Sequence, residues 1–157
     1  MARNSSSRFT NSGYPEEAFG PPLIGALLRV PWETVQRRML ERLHEHGFDD
    51  LDAAHLTVFQ YPGPQGAKPS ELASRLRISK QALNYLLGEL ERLHYLERRP
   101  DPDDLRSKRV ALTKRGAKLI TLMREAVADL EADWGRQLGS KRFDQLRGLL
   151  AELNANG

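Results

Sequence analysis

Lys80, Gln81, Asn84 and Tyr85 carry the side chains best placed to do chemistry in this chain. At about 100° per residue, Gln81, Asn84, Tyr85 and Gly88 fall within roughly a third of a helix circumference. No carboxylate interrupts that face. Gln81 and Asn84 each offer a donor and an acceptor, the combination that binds adenine bidentately in a major groove. Tyr85 adds a hydroxyl and a flat ring for a thymine methyl or a sugar. Lys80, in the first turn, suits phosphate or guanine, and Gly88 leaves clearance beside a nucleic-acid backbone. Ser70 and Ser79, at helix N-termini, can hold phosphate oxygens together with the free N–H groups there.

A second cluster lies in the turn-rich run Pro100-Asp101-Pro102-Asp103-Asp104-Leu105-Arg106-Ser107. Arg106, near the tip, can enter a minor groove, where narrow A·T-rich segments concentrate negative potential. Asp104, two residues earlier, is placed to orient the guanidinium by a charge-assisted bond. Lys108 and Arg109 offer further phosphate contacts. Taken one at a time these are ordinary solvated residues. A polar face, two helices joined by a short turn and a basic ribbon, taken together, point to double-stranded DNA.

The elements that must position these groups are legible in the pattern. Ser70 is expected to cap a third helix and Ser79 a fourth, with Arg77-Ile78 as the turn between them. Leu83, Leu86, Leu87, Leu90 and Leu93 form the buried side of the fourth helix. Residues 95–99 and 108–112 alternate as strands. Thr113 is expected to cap a long helix striped by Leu119, Met123, Ala126, Val127, Leu130 and Trp134. Gly139-Ser140 breaks that helix before a last one carrying Phe143, Leu146, Leu149, Leu150 and Leu153. Upstream, residues 16–46 repeat Leu28, Trp32, Val35, Met39 and Leu43 at helical spacing, with Gly47 as the stop. Pro31 should kink that helix or divide it. Asp52 is positioned to cap a short second helix through about Gln60, and Pro62-Gly63-Pro64-Gln65-Gly66 is a loop.

The chain has 157 residues and a net charge of +3, enough for one domain with a real core. Residues 68–118 hold thirteen basic and seven acidic side chains, a net of +6. The segments on either side are slightly acidic, so the positive potential is concentrated in the middle third. There is no cysteine, which excludes disulfides, thiolate metal sites and thiol redox switches and fits a cytoplasmic protein. Residues 1–15 read as a disordered polar tail with no signal-peptide core. The longest apolar run, Pro21 to Val30, is too short to span a bilayer, so no membrane partner is expected. His44 and His46 do not share a helix face, whereas Glu41 with His44, or Asp52 with His55, can; a regulatory metal on such a pair is the minor alternative to ordinary surface and capping roles. No cofactor or metal is expected. Nucleophile–base motifs and phosphate-binding glycine loops are missing, and Asp49-Asp50-Asp52-His55 reads as a loop and a helix cap. The chain is therefore not expected to be an enzyme.

Residues 52–118 resemble the MarR family of bacterial transcription regulators. The resemblance rests on Ser70-Glu71-Leu72-Ala73, Ser79 through Leu90-Glu91, Leu96-Glu97-Arg98-Arg99, Asp101-Pro102 with Asp104-Leu105-Arg106, and Val110-Ala111-Leu112-Thr113-Lys114-Arg115-Gly116. In helix order and length it extends over about residues 20–155. Two positions depart from the family: His94 stands where glycine is usual, and Leu105 replaces one basic residue of an Asp-Arg-Arg wing. The resemblance implies a recognition helix in the major groove (Gln81, Asn84, Tyr85), a wing arginine in the minor groove (Arg106), and a dimer interface from the first and last two helices. It also implies an effector pocket, for which Leu28, Trp32, Val35, Met39, His55 and Phe59 are candidates; ordinary core is the alternative role of each. Leu130, Trp134, Leu138, Phe143, Leu146, Leu150 and Leu153 exceed the apolar surface a small monomer normally hides, which also favours a homodimer.

The expected fold is mainly α with a small β-wing, a winged helix-turn-helix flanked by dimerisation helices. Its parts are a tail (1–15), an N-terminal dimerisation helix kinked at Pro31 (16–50), the DNA-binding lobe (51–113) and C-terminal dimerisation helices (114–157). The expected function is a sequence-specific transcription regulator, a repressor, bound as a homodimer to a palindromic operator and relieved by a small-molecule effector. The alternative is a winged-helix module that binds protein without specific DNA binding.

Overall fold

A computed structural model describes residues 21–60, 63–104 and 106–156. The expected tail, the first turns of the helix expected from residue 16, and Leu105 lie outside the described residues. The order of elements is α1 (Ile24–Glu45), α2 (Ala53–Val58), α3 (Pro69–Leu76), α4 (Lys80–Arg92), β1 (Leu96–Pro100), β2 (Lys108–Leu112), α5 (Lys114–Leu138) and α6 (Ser140–Asn156). Backbone proximity groups residues 1–32 and 33–157 into two units. The mainly helical fold with a two-stranded wing is the one the sequence leads us to expect.

α1 runs unbroken through Pro31, so Pro31 does not divide it. The proline removes one N–H, but Leu27 and Pro31 are both exposed, and water can take the freed carbonyl. α1 ends at Gly47, whose φ is +77°, with the Phe48 N–H donating back to the Leu43 carbonyl at 3.0 Å. The same left-handed closure ends α3 at Arg77 (φ +54°) and α4 at His94 (φ +61°). There Ile78 N–H donates to Ala73 and Tyr95 N–H to Leu90. A side chain in this conformation costs roughly 1–2 kcal/mol that glycine avoids.

Capping sets the helix starts. The Asp52 carboxylate accepts from the His55 N–H (3.0 Å) while His55 Nδ1 accepts from the Asp52 N–H (3.2 Å), a capping box that starts α2. Ser79 Oγ accepts from the Ala82 N–H at 3.0 Å and starts α4 as expected. Ser70 is not the cap of α3. Lys68 takes that position, its N–H donating to Glu71 Oε2 at 3.1 Å. Pro69, with φ already fixed for a helix, moves the start one residue earlier and leaves Ser70 in the first turn.

Leu43, Leu56, Val58, Leu72, Leu83, Leu87, Leu90, Val110 and Leu119 are almost wholly buried together. Full burial of each such side chain is worth about 1.5–3 kcal/mol, so the leucine face holds α4 while its polar face stays outside. β1 and β2 pair antiparallel in the register Leu96↔Leu112 to Pro100↔Lys108. β1 begins one residue later than expected because Tyr95 belongs to the closure of α4. The outer edge of β2 is also bonded: Val110 exchanges backbone hydrogen bonds with Gly66 and Ala67 (2.8 and 2.9 Å), and the Leu112 N–H donates to Gln65 Oε1 at 2.6 Å.

Two junctions fix the wing. At its base, Thr113 Oγ1 donates to the His94 carbonyl at 2.6 Å and accepts from the Gly116 N–H at 3.1 Å, while the Thr113 N–H donates to the Tyr95 carbonyl at 3.2 Å. Gly116 lies so close that a Cβ there would stand 2.1 Å from the Tyr95 carbonyl oxygen. Nearer the tip, buried Asp101 receives Lys68 Nζ at 3.1 Å and Arg109 Nε at 3.0 Å. The Ser107 hydroxyl and the Asp103 N–H donate to it as well. Chiefly through Arg109, which outweighs the opposing effect of burial, these groups hold the Asp101 carboxyl far below the usual carboxylate range.

α5 and α6 pack through Trp134 and Phe143, whose rings meet edge-on with centroids 6.4 Å apart. Leu130 and Phe143, expected on a dimer face, are buried within the chain, whereas Leu138, Leu146, Leu149 and Leu153 remain exposed.

His94→Gly should raise stability by about 0.5–1 kcal/mol, the relieved strain less the added chain entropy, and the melting temperature by a few degrees. Gly116→Ala should lower stability by about 3 kcal/mol, because a backbone oxygen must move; thermal and urea unfolding measure both. Asp101 contributes stability above its unfolded pKa of about 3.9 and loses it as pH falls toward the depressed folded value. The stability gap between wild type and Asp101→Asn should therefore be constant above about pH 5 and shrink below about pH 4, as urea titrations across pH will show.

Candidate nucleic-acid interface

The outward face of α4 carries the residues expected there. Lys80, Gln81 and Asn84 are exposed, and the Tyr85 ring is 67% exposed, a large fraction for an aromatic side chain with its backbone locked in a helix. Directly behind them Leu83, Leu87 and Leu90 are buried. Gly88 is exposed, and a Cβ there would meet nothing within 4 Å. Pro69, Ser70, Lys80, Leu83 and Asn84 line a cavity of about 150 Å³ where α3 and α4 start side by side. Ser70 is exposed at its rim. The Ser79 oxygen already serves its own helix, so its remaining capacity is the hydroxyl proton.

Arg106 is exposed between the strands, on the tip of the wing. Asp104 does not hold its guanidinium. Asp104 Oδ1 instead accepts from the Arg106 backbone N–H at 3.1 Å, an Asx-type turn that shapes the tip and leaves the side chain outside. Lys108 is exposed at the start of β2. Arg109, read as a phosphate contact, is used inside the wing. Its guanidinium pairs with Asp101 and Asp103 and donates to the Gly66 carbonyl at 3.0 Å.

The candidate pocket residues are placed less uniformly. Met39 and Phe59 are buried members of the core, and Val35 packs against it. His55 is buried in the α2 capping box, and its Nε2 has no hydrogen-bond partner among the described residues. Leu28 and Trp32 are 44% and 43% exposed.

Sequence reasoning missed Arg98, Lys68 and Asp101. Arg98 Nε donates to Glu91 Oε2 at 3.0 Å and its Nη1 to Asn84 Oδ1 at 3.3 Å, so a wing residue holds a side chain of the outward α4 face. The available signal is strand alternation: Arg98 shares a face of β1 with buried Leu96, and a charged residue there needs a partner. Below this, Arg115 donates to the Leu93 carbonyl (3.1 Å) and to Asp50 (2.8 Å) and stacks over the Tyr95 ring. Burial, then the bond it donates to Asp50 at 2.5 Å, push the Tyr95 phenol well above its ordinary pKa, so it stays a donor.

Among the described residues no helix is long and apolar enough to cross a membrane, and no three metal-ligating side chains come together.

Residues 50–107 match the MarR family. An uncharacterised HTH-type transcriptional regulator of Bacillus subtilis, YkoM, is 33% identical over 89 residues, 57% of this chain and 56% of the relative; the match thus spans about half the length of that curated protein. Wild-type MarR from E. coli, in its apo form, superposes with a TM-score of 0.65 at 25% identity, covering 85% of this chain and 98% of that one. A MarR transcriptional regulator from Methanosarcina mazei gives 0.69 at 20% identity over 85% and 95% of the two chains. The transcriptional repressor CouR, solved on a 23-mer DNA duplex, gives 0.63 at 23% identity over 84% and 92%. Residues 50–107, the helix-turn-helix and much of the wing, thus match the MarR family, and the chain has the fold of the solved MarR regulators over most of its length.

Proposed function

We propose that this protein is a transcription regulator that binds double-stranded DNA as a homodimer, with α4 in the major groove and Arg106 of the wing in the minor groove. The observation that carries the reading is the exposed face of Lys80, Gln81, Asn84 and Tyr85 on a helix anchored by buried leucines, beside a basic wing whose tip arginine is exposed. Hydrogen-bonding side chains held rigidly outward match what a major groove presents. The CouR complex with duplex DNA, on the same fold, supports it. A protein-binding module would instead need an apolar outward face, and here only Tyr85 supplies apolar surface.

The dimer is formed by the flanking helices, where Leu149 and Leu153 are 60% and 64% exposed on α6. Two copies related by a twofold axis read a palindrome with half-sites about one helical turn apart. Its action is repression, by occupation of the operator, and a small molecule relieves it. Of the expected pocket residues, His55 has a buried Nε2 that makes no hydrogen bond among the described residues and lies 3.7 Å from Glu89 Oε2.

Gel-shift titration against operator and unrelated duplexes tests the reading. Operator affinity should fall steeply with salt, as for any site that neutralises several phosphates; no duplex binding at low salt would sink the proposal and revive the protein-binding alternative. Arg106→Ala should cost about 1–3 kcal/mol of operator affinity without changing the melting temperature; wild-type affinity would remove the wing from the mechanism. Leu149→Glu with Leu153→Glu should sediment as a monomer with unchanged helicity and bind operator weakly; a retained dimer would place the interface elsewhere.

A further inference from the structure

Asn84 is not a free amide. Arg98 reaches it from β1, donating from Nη1 to Asn84 Oδ1 at 3.3 Å while its Nε donates to Glu91 Oε2 at 3.0 Å. The Arg98 and Glu91 side chains are both only partly exposed, so the guanidinium is held between two points on the recognition helix. An arginine carries donors and no acceptor, so the amide must turn its oxygen toward it; the reverse orientation would oppose donor to donor. The Asn84 NH2 group is then the part directed away from the wing. The second lone pair of Oδ1 lies beside a cation, whose field disfavours a base amino group there.

Resting on the DNA-binding reading above, we propose that Arg98 is a specificity-determining positioning residue that makes Asn84 a hydrogen-bond donor only. Adenine is then the wrong partner for Asn84, because bidentate binding of adenine needs an acceptor for N6–H2 as well as a donor for N7. Guanine, with acceptors at O6 and N7, or thymine, with O4, satisfies the exposed NH2 group without asking anything of the oxygen. Gln81, one helical turn earlier, carries no side-chain hydrogen bond to the described residues, keeps both functions and remains the adenine reader. Two amides of the same chemistry thus select different bases, and the difference is set by a wing residue that need not touch DNA.

Selection from a randomised duplex with the full-length protein yields the preferred site, and the base read by Asn84 is the position whose preference Asn84→Ala removes. That base should be guanine or thymine in the wild type. Arg98→Met should shift that position toward adenine by roughly tenfold relative to the wild-type base, with the rest of the site unchanged. Arg98→Lys, which keeps a cation with donors and no acceptor, should stay at the wild-type base, and thermal unfolding confirms that both variants are folded. Adenine at that position in the wild type overturns the proposal, as does an unchanged preference in Arg98→Met, an equal shift in both variants, or no position that depends on Asn84. A protein that selects a site through Gln81 and Arg106 but shows none of these Arg98 effects leaves the DNA-binding reading standing; one that selects no site at all removes both.

Discussion

The meeting of Tyr95, Thr113 and Gly116 is the constraint on which the winged-helix lobe depends. At this point α4 ends, β1 begins and α5 begins, and each needs its terminal backbone groups satisfied. The left-handed His94 turns the chain out of α4, and the Tyr95 N–H returns to Leu90 to close the helix. Thr113 then takes the carbonyls of His94 and Tyr95 while capping α5 with the same hydroxyl. Only a residue without a Cβ lets the first turn of α5 approach the Tyr95 carbonyl so closely. α4, the wing and the long helix therefore share one origin, and the span from the outward face of α4 to the wing tip is set by covalent geometry and a few short hydrogen bonds.

Charge is distributed by the same logic. The middle third is strongly basic, yet many of its cations have structural partners. Lys68 and Arg109 meet Asp101, Arg98 meets Glu91, and Arg115 meets Asp50. Asp50 is held below its ordinary pKa by Tyr95 and Arg115 although burial opposes this. These pairs sit behind the outward surface, whereas Lys80, Arg106 and Lys108 are exposed on it. A count of basic residues thus locates the basic segment but does not say which of them face outward.

What was legible in the sequence was whatever is encoded within one or two helical turns. The leucine stripe and polar face of α4, the caps at Ser79 and Thr113, and the wing as a pair of short strands follow from local periodicity and side-chain chemistry. Ser70 was misplaced because two local rules compete there and proline at the first helical position wins over a serine one residue later. The roles of Arg109 and Arg98 were not readable, because each depends on a partner brought close by the hairpin or by the packing of the wing on α4; Asp104 was misread locally, its oxygen taking the Arg106 N–H two residues on and not the guanidinium. Arg98 and Asn84 are fourteen residues apart. Nothing in either local stretch predicts that an amide able to read two ways is held in one.

The wing is held differently at its base and at its tip, and this follows from where its carboxylates sit. Asp101 is buried and meets two cations and two further donors. A desolvated carboxylate so surrounded is costly to remove, because four donors converge on it and would lose their common acceptor. Asp104 is exposed, and its Oδ1 accepts from the Arg106 N–H. The Asp104 charge remains, but it binds the turn through the backbone, and the Arg106 side chain is left exposed. The base is thus held by side-chain pairs and the tip by the backbone, so the strands are fixed in register without the tip side chains being used to do it.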